Sequence, residues 1–363
     1  MTDAPPVVMP AKGREPGIWL RLPADEYHSD ASLGSSAHKK LRVHPTEFFA
    51  TWPGNNDVDP DDEKDTPATR FGSAVHRLVL EGRKALEKEF FEEPNGTDVV
   101  KTMDDMKQIL RPLGLSVSGV KEELAKRVKN AAPSVRLYDE IIDEHRRYGR
   151  KLLKPDAWAR VLKAGKHISA HPQLARSFQG GKSEVSVFWI NEQGVRCRAR
   201  FDYVRVVQAE IKGKPALIGV AADLKSFSAP RQIPIERAVE ANVGENLLQI
   251  LHYMDGWNAM IAMLREQGPS AVKDGRASDE EWLGLLAKTK TMHLYLVHFK
   301  STGGAFSAAT RHLPTGRYEV TRQQLNMNYR RFREYYAAFG HDLWISLDDI
   351  RDIDEQDCRP WHL

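Results

Sequence analysis

Ala216-Leu217-Ile218-Gly219-Val220-Ala221-Ala222-Asp223-Leu224-Lys225 is an apolar run that ends in charge. Side chains alternate across a strand, so Asp223 and Lys225 share one face while Leu224 points into a core. A carboxylate and a cation this close at a strand end suit phosphodiester hydrolysis. There a carboxylate holds Mg²⁺ and a cation positions or deprotonates the attacking water. Alone the triplet is weak, because such triplets are common on solvated strand edges.

Its neighbours add weight. Arg198-Ala199-Arg200-Phe201-Asp202 alternates as well, which puts Arg198, Arg200 and Asp202 on one face. If this strand pairs with the Asp223 strand, the two carboxylates meet at one divalent ion, with Arg200 near enough to hold a phosphate oxygen. The plainer reading is a ladder of paired charges on an exposed face. Both strands belong to a β-rich block of Ser183–Asn191, Val195–Val207 and Ala216–Lys225. Asn191-Glu192-Gln193-Gly194 and Lys212-Gly213-Lys214 are its expected turns. Glu184, in the first strand, is either a further ligand or a solvated hairpin residue. The segment between Asp202 and Asp223 exceeds a minimal hairpin, and charged Glu210-Ile211-Lys212-Gly213-Lys214 at its tip leaves room for a shifted register.

Helices flank this block. Glu236 to Leu264 is helical, with Gln249 and Tyr253 four residues apart and therefore on one face. A helix from about Thr69 to Glu81 buries Phe71, Val75, Leu78 and Val79 and carries Gly72-Ser73-Ala74-Val75-His76. Gly72 permits close approach to another backbone. By themselves a lone helical histidine is usually structural and a Gln/Tyr pair usually surface decoration. Ser35 or Ser36 is an N-cap before a short helix, and 54–67 is an exposed loop. Pro133 to Ala170 is helical with a break near Lys154-Pro155, His293–Phe299 is a strand, and Thr321–Phe339 a last helix. The first seventeen residues are expected to be poorly ordered. No internal repeat is present, and the pattern predicts an α/β fold with a mixed central sheet.

Composition bounds the function. Of 363 residues 41% are hydrophobic and 28% charged, enough for a sizeable core and too much for wholesale disorder. The 53 basic and 50 acidic residues leave a net charge of +3, so a nucleic-acid site must come from local clustering. No apolar stretch is long enough to cross a bilayer, which argues against a membrane partner, and no secretory signal pattern is present. Cys197 and Cys358 are the only cysteines. They exclude a disulfide framework and cannot supply the four ligands of an iron–sulfur cluster, and a reducing cytoplasm is the simplest location.

The order Gly-x-x-x-His, Asp, Asp-x-Lys, Gln-x-x-x-Tyr resembles the motif series of the RecB family of PD-(D/E)XK nucleases. Phe71-Gly72-Ser73-Ala74-Val75-His76-Arg77-Leu78-Val79-Leu80-Glu81 is similar to the histidine helix of the RecE branch. Glu184-Val185-Ser186-Val187-Phe188-Trp189 and Gly194-Val195-Arg196-Cys197-Arg198-Ala199-Arg200-Phe201-Asp202 are similar to its first catalytic hairpin. The Ser35-Ser36 to Pro45 segment resembles its N-terminal Ser…Pro stretch. The likeness implies a PD-(D/E)XK core, with a central mixed sheet flanked by helices, over 19–100 and 131–345. Residues 1–18 and 346–363 would be tails. It implies Mg²⁺, with Mn²⁺ as a substitute, bound by Asp202, Asp223 and the Leu224 carbonyl. His76 would approach the metal or its water, Lys225 would orient and activate the nucleophile, and Gln249 and Tyr253 would brace the lysine side or touch the DNA backbone. Some relatives carry an iron–sulfur cluster, for which this chain lacks the cysteines.

Residues 101–130 form an insert with two amphipathic helices, roughly Met103–Arg111 and Lys121–Lys129. Met106-Lys107, Leu110, Gly114-Leu115, Ser118-Gly119, Lys121, Leu124 and Val128 resemble a SAP-type helix–extended–helix module. That likeness makes Lys107, Arg111, Lys121, Lys126, Arg127 and Lys129 candidate phosphate contacts. An ordinary helical hairpin with solvated lysines is the alternative. The leading expectation is a phage or prophage exonuclease acting 5′ to 3′ on double-stranded DNA ends, assembled as a homo-oligomer and feeding a single-strand annealing recombinase. An endonuclease with the same metal site, or a DNA-binding protein with a decayed nuclease fold, are the alternatives.

Overall fold

The structure, a computed structural model, describes residues 8–57, 66–171, 174–227, 232–240, 243–289, 291–300, 307–311 and 318–346. Its first part contains β1 (Gly17–Trp19), α1 (Ala24–His28), α2 (Ser35–Val43), α3 (Pro45–Phe49), α4 (Pro67–Glu81) and α5 (Arg83–Glu89). β2 (Phe90–Glu92) and β3 (Val99–Val100) lead into α6 (Met103–Leu110) and α7 (Lys121–Ala131), followed by β4 (Arg136–Leu137), α8 (Tyr138–Arg147), β5 (Lys151–Leu153) and α9 (Pro155–Ala170). Then come β6 (Gly181–Ile190), β7 (Arg196–Ile211), β8 (Lys214–Phe227), α10 (Ile235–Glu240), α11 (Val243–Gln267), α12 (Glu280–Ala287), β9 (Thr291–Lys300), β10 (Ser307–Arg311) and α13 (Tyr318–Phe339).

The hairpin of β7 and β8 organises the sheet. Lys212 and Gly213 at its tip both have positive φ, 51° and 72°. That suits a two-residue turn whose twist matches the strands it joins. Pairing runs without a slip from Ile211↔Lys214 to Tyr203↔Ala222, so the register shift considered above does not occur. The sheet order is β1-β6-β7-β8-β9-β10. β7 is antiparallel to both β6 and β8, whereas β8 and β9 are parallel. A parallel pair needs a long crossover, which the α10–α12 segment provides.

Helices cover both faces. Ala221 and Leu296 join Leu41, Phe48, Trp52, Leu248, Trp257 and Phe332 in a core beneath α2, α3, α11 and α13. Their neighbours Ala222, Leu224 and Val297 turn to a second core with Phe71, Val75, Trp158 and Val161 from α4 and α9. Leu224 therefore points into a core, as the alternation predicts. α4 is started by Thr66, whose side chain and that of Thr69 cap each other's backbone N–H groups, with Pro67 in the first turn. The close approach against this helix is at Gly165 of α9, where a Cβ would lie 2.5 Å from the Leu78 side chain.

Several elements differ from expectation. The stretch from Pro133 to Ala170 is two helices separated by β5, which pairs with β2. β1, α12 and β10 gave no periodic signal because they are too short or too mixed. Within the seventeen residues expected to be loose, Met9 exchanges backbone hydrogen bonds with Gly194 and Arg196, and the Ala11 N–H donates to the Tyr336 hydroxyl at 2.8 Å. The expected tail 346–363 lies outside the described residues apart from Ser346, as do residues 1–7. Among the described residues no helix is long and apolar enough to cross a membrane.

Candidate metal centre

The β7–β8 ladder ends at Tyr203↔Ala222, and one residue further along each strand stand Asp202 and Asp223. On the other side, pairing of β6 with β7 skips from Ser183↔Tyr203 to Val185↔Phe201. Glu184 fills that gap opposite Asp202, with a φ of 57°. Three carboxylates on three adjacent strands thus form one cross-strand row, where regular pairing is missing on both sides. Left-handed backbone at a non-glycine residue is costly and tends to persist where a site requires it.

Each carboxylate is answered differently. Asp223, whose side chain is 2% exposed, accepts a 2.9 Å hydrogen bond from Gln249 Nε2 on Oδ1 and faces Lys225 Nζ at 2.7 Å from Oδ2. The lysine ammonium is the partner of Oδ2, which is otherwise buried. Asp202 Oδ2 accepts from the Leu224 N–H at 2.7 Å and lies 3.6 Å from His76 Nδ1. Burial, followed by the nearby charges of Asp223 and Glu184, pushes the Asp202 carboxyl well above the ordinary range. Burial pushes Lys225 down, but Asp223 and Asp202 outweigh it and raise the ammonium above its usual value. Lys225 is therefore charged at neutral pH. Burial lowers His76 despite the pull of Asp223, so its ring is neutral and has a lone pair to offer.

A site where the carboxylates of Asp202 and Asp223 meet with negative charge in excess fits a hard divalent cation. Among the described residues no three His, Cys, Asp or Glu side chains converge into a ready-made cage.

The bracing residues are on α11. Tyr253 donates from its hydroxyl to the Arg200 carbonyl at 2.9 Å, and both Tyr253 and Gln249 are buried. They hold β7 and Asp223, and neither is placed to touch DNA. Arg200 has protein partners where a free, phosphate-seeking guanidinium was expected. Its Nε pairs with Glu184, its Nη1 donates to the Leu22 carbonyl at 3.0 Å, and its guanidinium stands 5.4 Å from the Tyr27 ring centre. Arg198 is buried, binds the Tyr27 and His28 carbonyls and also lies over Tyr27. Having been taken up by α1, it offers little surface to DNA, which corrects its expected role. Tyr27, whose hydroxyl burial pushes up to about 12, was missed by sequence reading. It lies 171 residues before Arg198, and no local pattern marks it.

Comparison with family models and with curated proteins returns no match. Among solved structures, a "Putative exonuclease" from Eubacterium rectale is similar over 85% of this chain and 83% of that one, at 9% identity and a TM-score of 0.41. A likeness this distant says nothing of the chemistry.

The insert has its own apolar cluster of Met106, Leu110, Leu124 and Val128, which also draws on Val100 and Leu137 from beyond 101–130. Four of its six candidate phosphate contacts are engaged with acidic side chains. Lys107 pairs with Asp104, Lys121 with Asp139, Arg127 with Glu123 and Lys129 with Glu140. Among the described residues Arg111 and Lys126 are exposed and have no ion pair.

Proposed function

We propose that this protein is a Mg²⁺-dependent deoxyribonuclease of the PD-(D/E)XK superfamily, an exonuclease of RecE type that resects double-stranded DNA ends. The juxtaposition of Asp202 with Asp223 carries the reading, Lys225 standing on one oxygen of Asp223 and Gln249 on the other. The order of strands and helices around them, with three antiparallel strands and then a helical crossover to a parallel fourth, supports the same superfamily.

Asp202, Asp223 and the Leu224 carbonyl would hold the cation, with His76 alongside; Mn²⁺ would substitute. When bound, such an ion supplies Lewis-acid stabilisation of charge on the phosphoryl oxygens. The chain does the rest. The Lys225 ammonium, fixed between two carboxylates, offers preorganised positive charge to an attacking water and to the developing phosphorane-like charge. The neutral His76 ring can accept a proton at Nδ1. Gln249 fixes the rotamer of Asp223, and Tyr253 fixes the strand that carries Asp202. End-directed 5′ to 3′ resection, assembly into a homo-oligomer and delivery to an annealing recombinase complete the proposal.

The test is degradation of end-labelled linear duplex with Mg²⁺, beside a covalently closed circle. Asp223→Ala and Lys225→Ala are each expected to abolish cleavage while keeping the fold. Near-normal turnover in either variant refutes the assigned site. Equal cleavage of the circle would establish an endonuclease in place of an exonuclease.

A further inference from the structure

We infer that Arg200 is a positioning residue that keeps Glu184 off the cation, so that the carboxylate row takes one divalent ion and not two. This rests on the metal-centre reading above. It also reverses the roles expected from sequence, in which Glu184 was a ligand and Arg200 a hand for phosphate.

Charge is the first observation. The row holds three carboxylates, Glu184, Asp202 and Asp223, against two cations in contact, Arg200 and Lys225. The carboxylate left without a cation in contact is Asp202, whose partners are a backbone N–H and the His76 ring. One divalent cation between Asp202 and Asp223 meets that deficit. Without Arg200 the surplus doubles, and a free carboxylate stands opposite Asp202.

Anchorage is the second. Arg200 is not a loose surface arginine that a metal would simply outcompete. Its side chain is 12% exposed, it donates to the Leu22 carbonyl, and it lies against the Tyr27 ring. Its main chain is tied to α11 through Tyr253. The guanidinium is therefore fixed from the side of α1, independently of the metal, and its planar fork imposes direction on the carboxylate it holds.

Backbone is the third. Glu184 is held in the left-handed region, at a break in a strand pairing that is otherwise in register on both sides. An ordinary extended conformation would restore the ladder. Something must repay the departure, and the Arg200 pair is the contact the Glu184 carboxylate makes.

The experiment counts Mn²⁺ ions on the full-length protein by calorimetry and by electron paramagnetic resonance. Wild type is expected to bind one Mn²⁺ at the row, abolished by Asp223→Asn. Glu184→Gln, which keeps the shape, should retain one ion with affinity within about threefold. Arg200→Met should bind two, with the spin coupling of ions about 4 Å apart. The double variant should return to one. An affinity loss of about tenfold or more in Glu184→Gln, typical of a lost metal contact, would overturn the inference, as would a single ion in Arg200→Met. If Arg200→Met fails to fold for want of its Leu22 and Tyr27 contacts, Glu184→Gln decides alone. Two coupled ions in wild type overturn this inference and leave the proposed function standing. Absence of any Asp223-dependent ion overturns both.

Discussion

Replacing Gln249 by leucine isolates the one neutral group that orients Asp223. The two side chains have similar volume, so no large cavity is opened, and what is lost is the 2.9 Å bond from Nε2 to Oδ1 together with the Gln249 contact to the Tyr253 hydroxyl. A hydrogen bond to a charged acceptor contributes about 1.5–3 kcal/mol. Asp223 is 2% exposed, so water cannot replace the donor, but Lys225 still faces the other oxygen. The lower part of the range, about 1.5–2 kcal/mol, is therefore expected for the metal-free protein. At about 1.4 kcal/mol per factor of ten this is roughly a 10- to 30-fold shift in the unfolding constant. Urea unfolding in a chelator measures it. In parallel, the Mg²⁺ concentration for half-maximal cleavage should rise, because the carboxylate has lost the contact that set its rotamer. Unchanged unfolding together with an unchanged Mg²⁺ requirement would show that α11 does not position Asp223.

Two further outcomes follow from the same structure. His252 and His38 meet in the core at 3.1 Å, with His252 also against Tyr329 and the Arg198 carbonyl. Burial lowers His252 to about 4, below an unfolded value of about 6.5, so the unfolded chain takes up the proton first. Its contribution is whole above pH 6.5, declines as pH falls towards 4, and reaches a loss of about 2 kcal/mol at pH 5. Urea midpoints at pH 7.5 and 5 should differ in wild type, and the difference should narrow in His252→Gln, with buried His38 contributing the rest; parallel losses would remove His252 as the cause. In the insert, Arg111→Ala with Lys126→Ala should lower the slope of log affinity for duplex DNA against log salt by about 2. Changing the paired Lys107 and Lys121 should alter it less, and the reverse ranking would contradict the ion-pair map.

The carboxylate row was largely legible because strand alternation is a two-residue code. Asp202, Asp223 and Lys225 each had a face before they had a position, and pairing of β7 with β8 was enough to bring them together. Gln249 was legible as a face of α11, though not as the partner of Asp223, since helix periodicity gives direction without rotation against the sheet. The arginines were misread for a different reason. Alternation put Arg198 and Arg200 beside the site, but α1 covers that face, and its contacts join residues about 170 positions apart. β2, β3, β4 and β5, two or three residues each, are too short to carry any period. Phe90-Phe91 and Val99-Val100 are residues that suit strands, but at this length it is tertiary pairing that satisfies the backbone groups and fixes all four.

β3 and β4 pair in parallel, Val99↔Arg136 and Val100↔Leu137, so the chain leaves for the insert and returns from it at neighbouring positions. Adjacent strands lie about 4.8 Å apart, a gap that one or two residues can span. The body of the fold therefore presents a socket rather than a linker. Any small fold with adjoining termini could be seated there, provided it offers an apolar surface to Val100 and Leu137, which now cap the helical cluster. The contents of the socket and the geometry of the carboxylate row become separable, and a lineage could exchange the plug while leaving the sheet untouched.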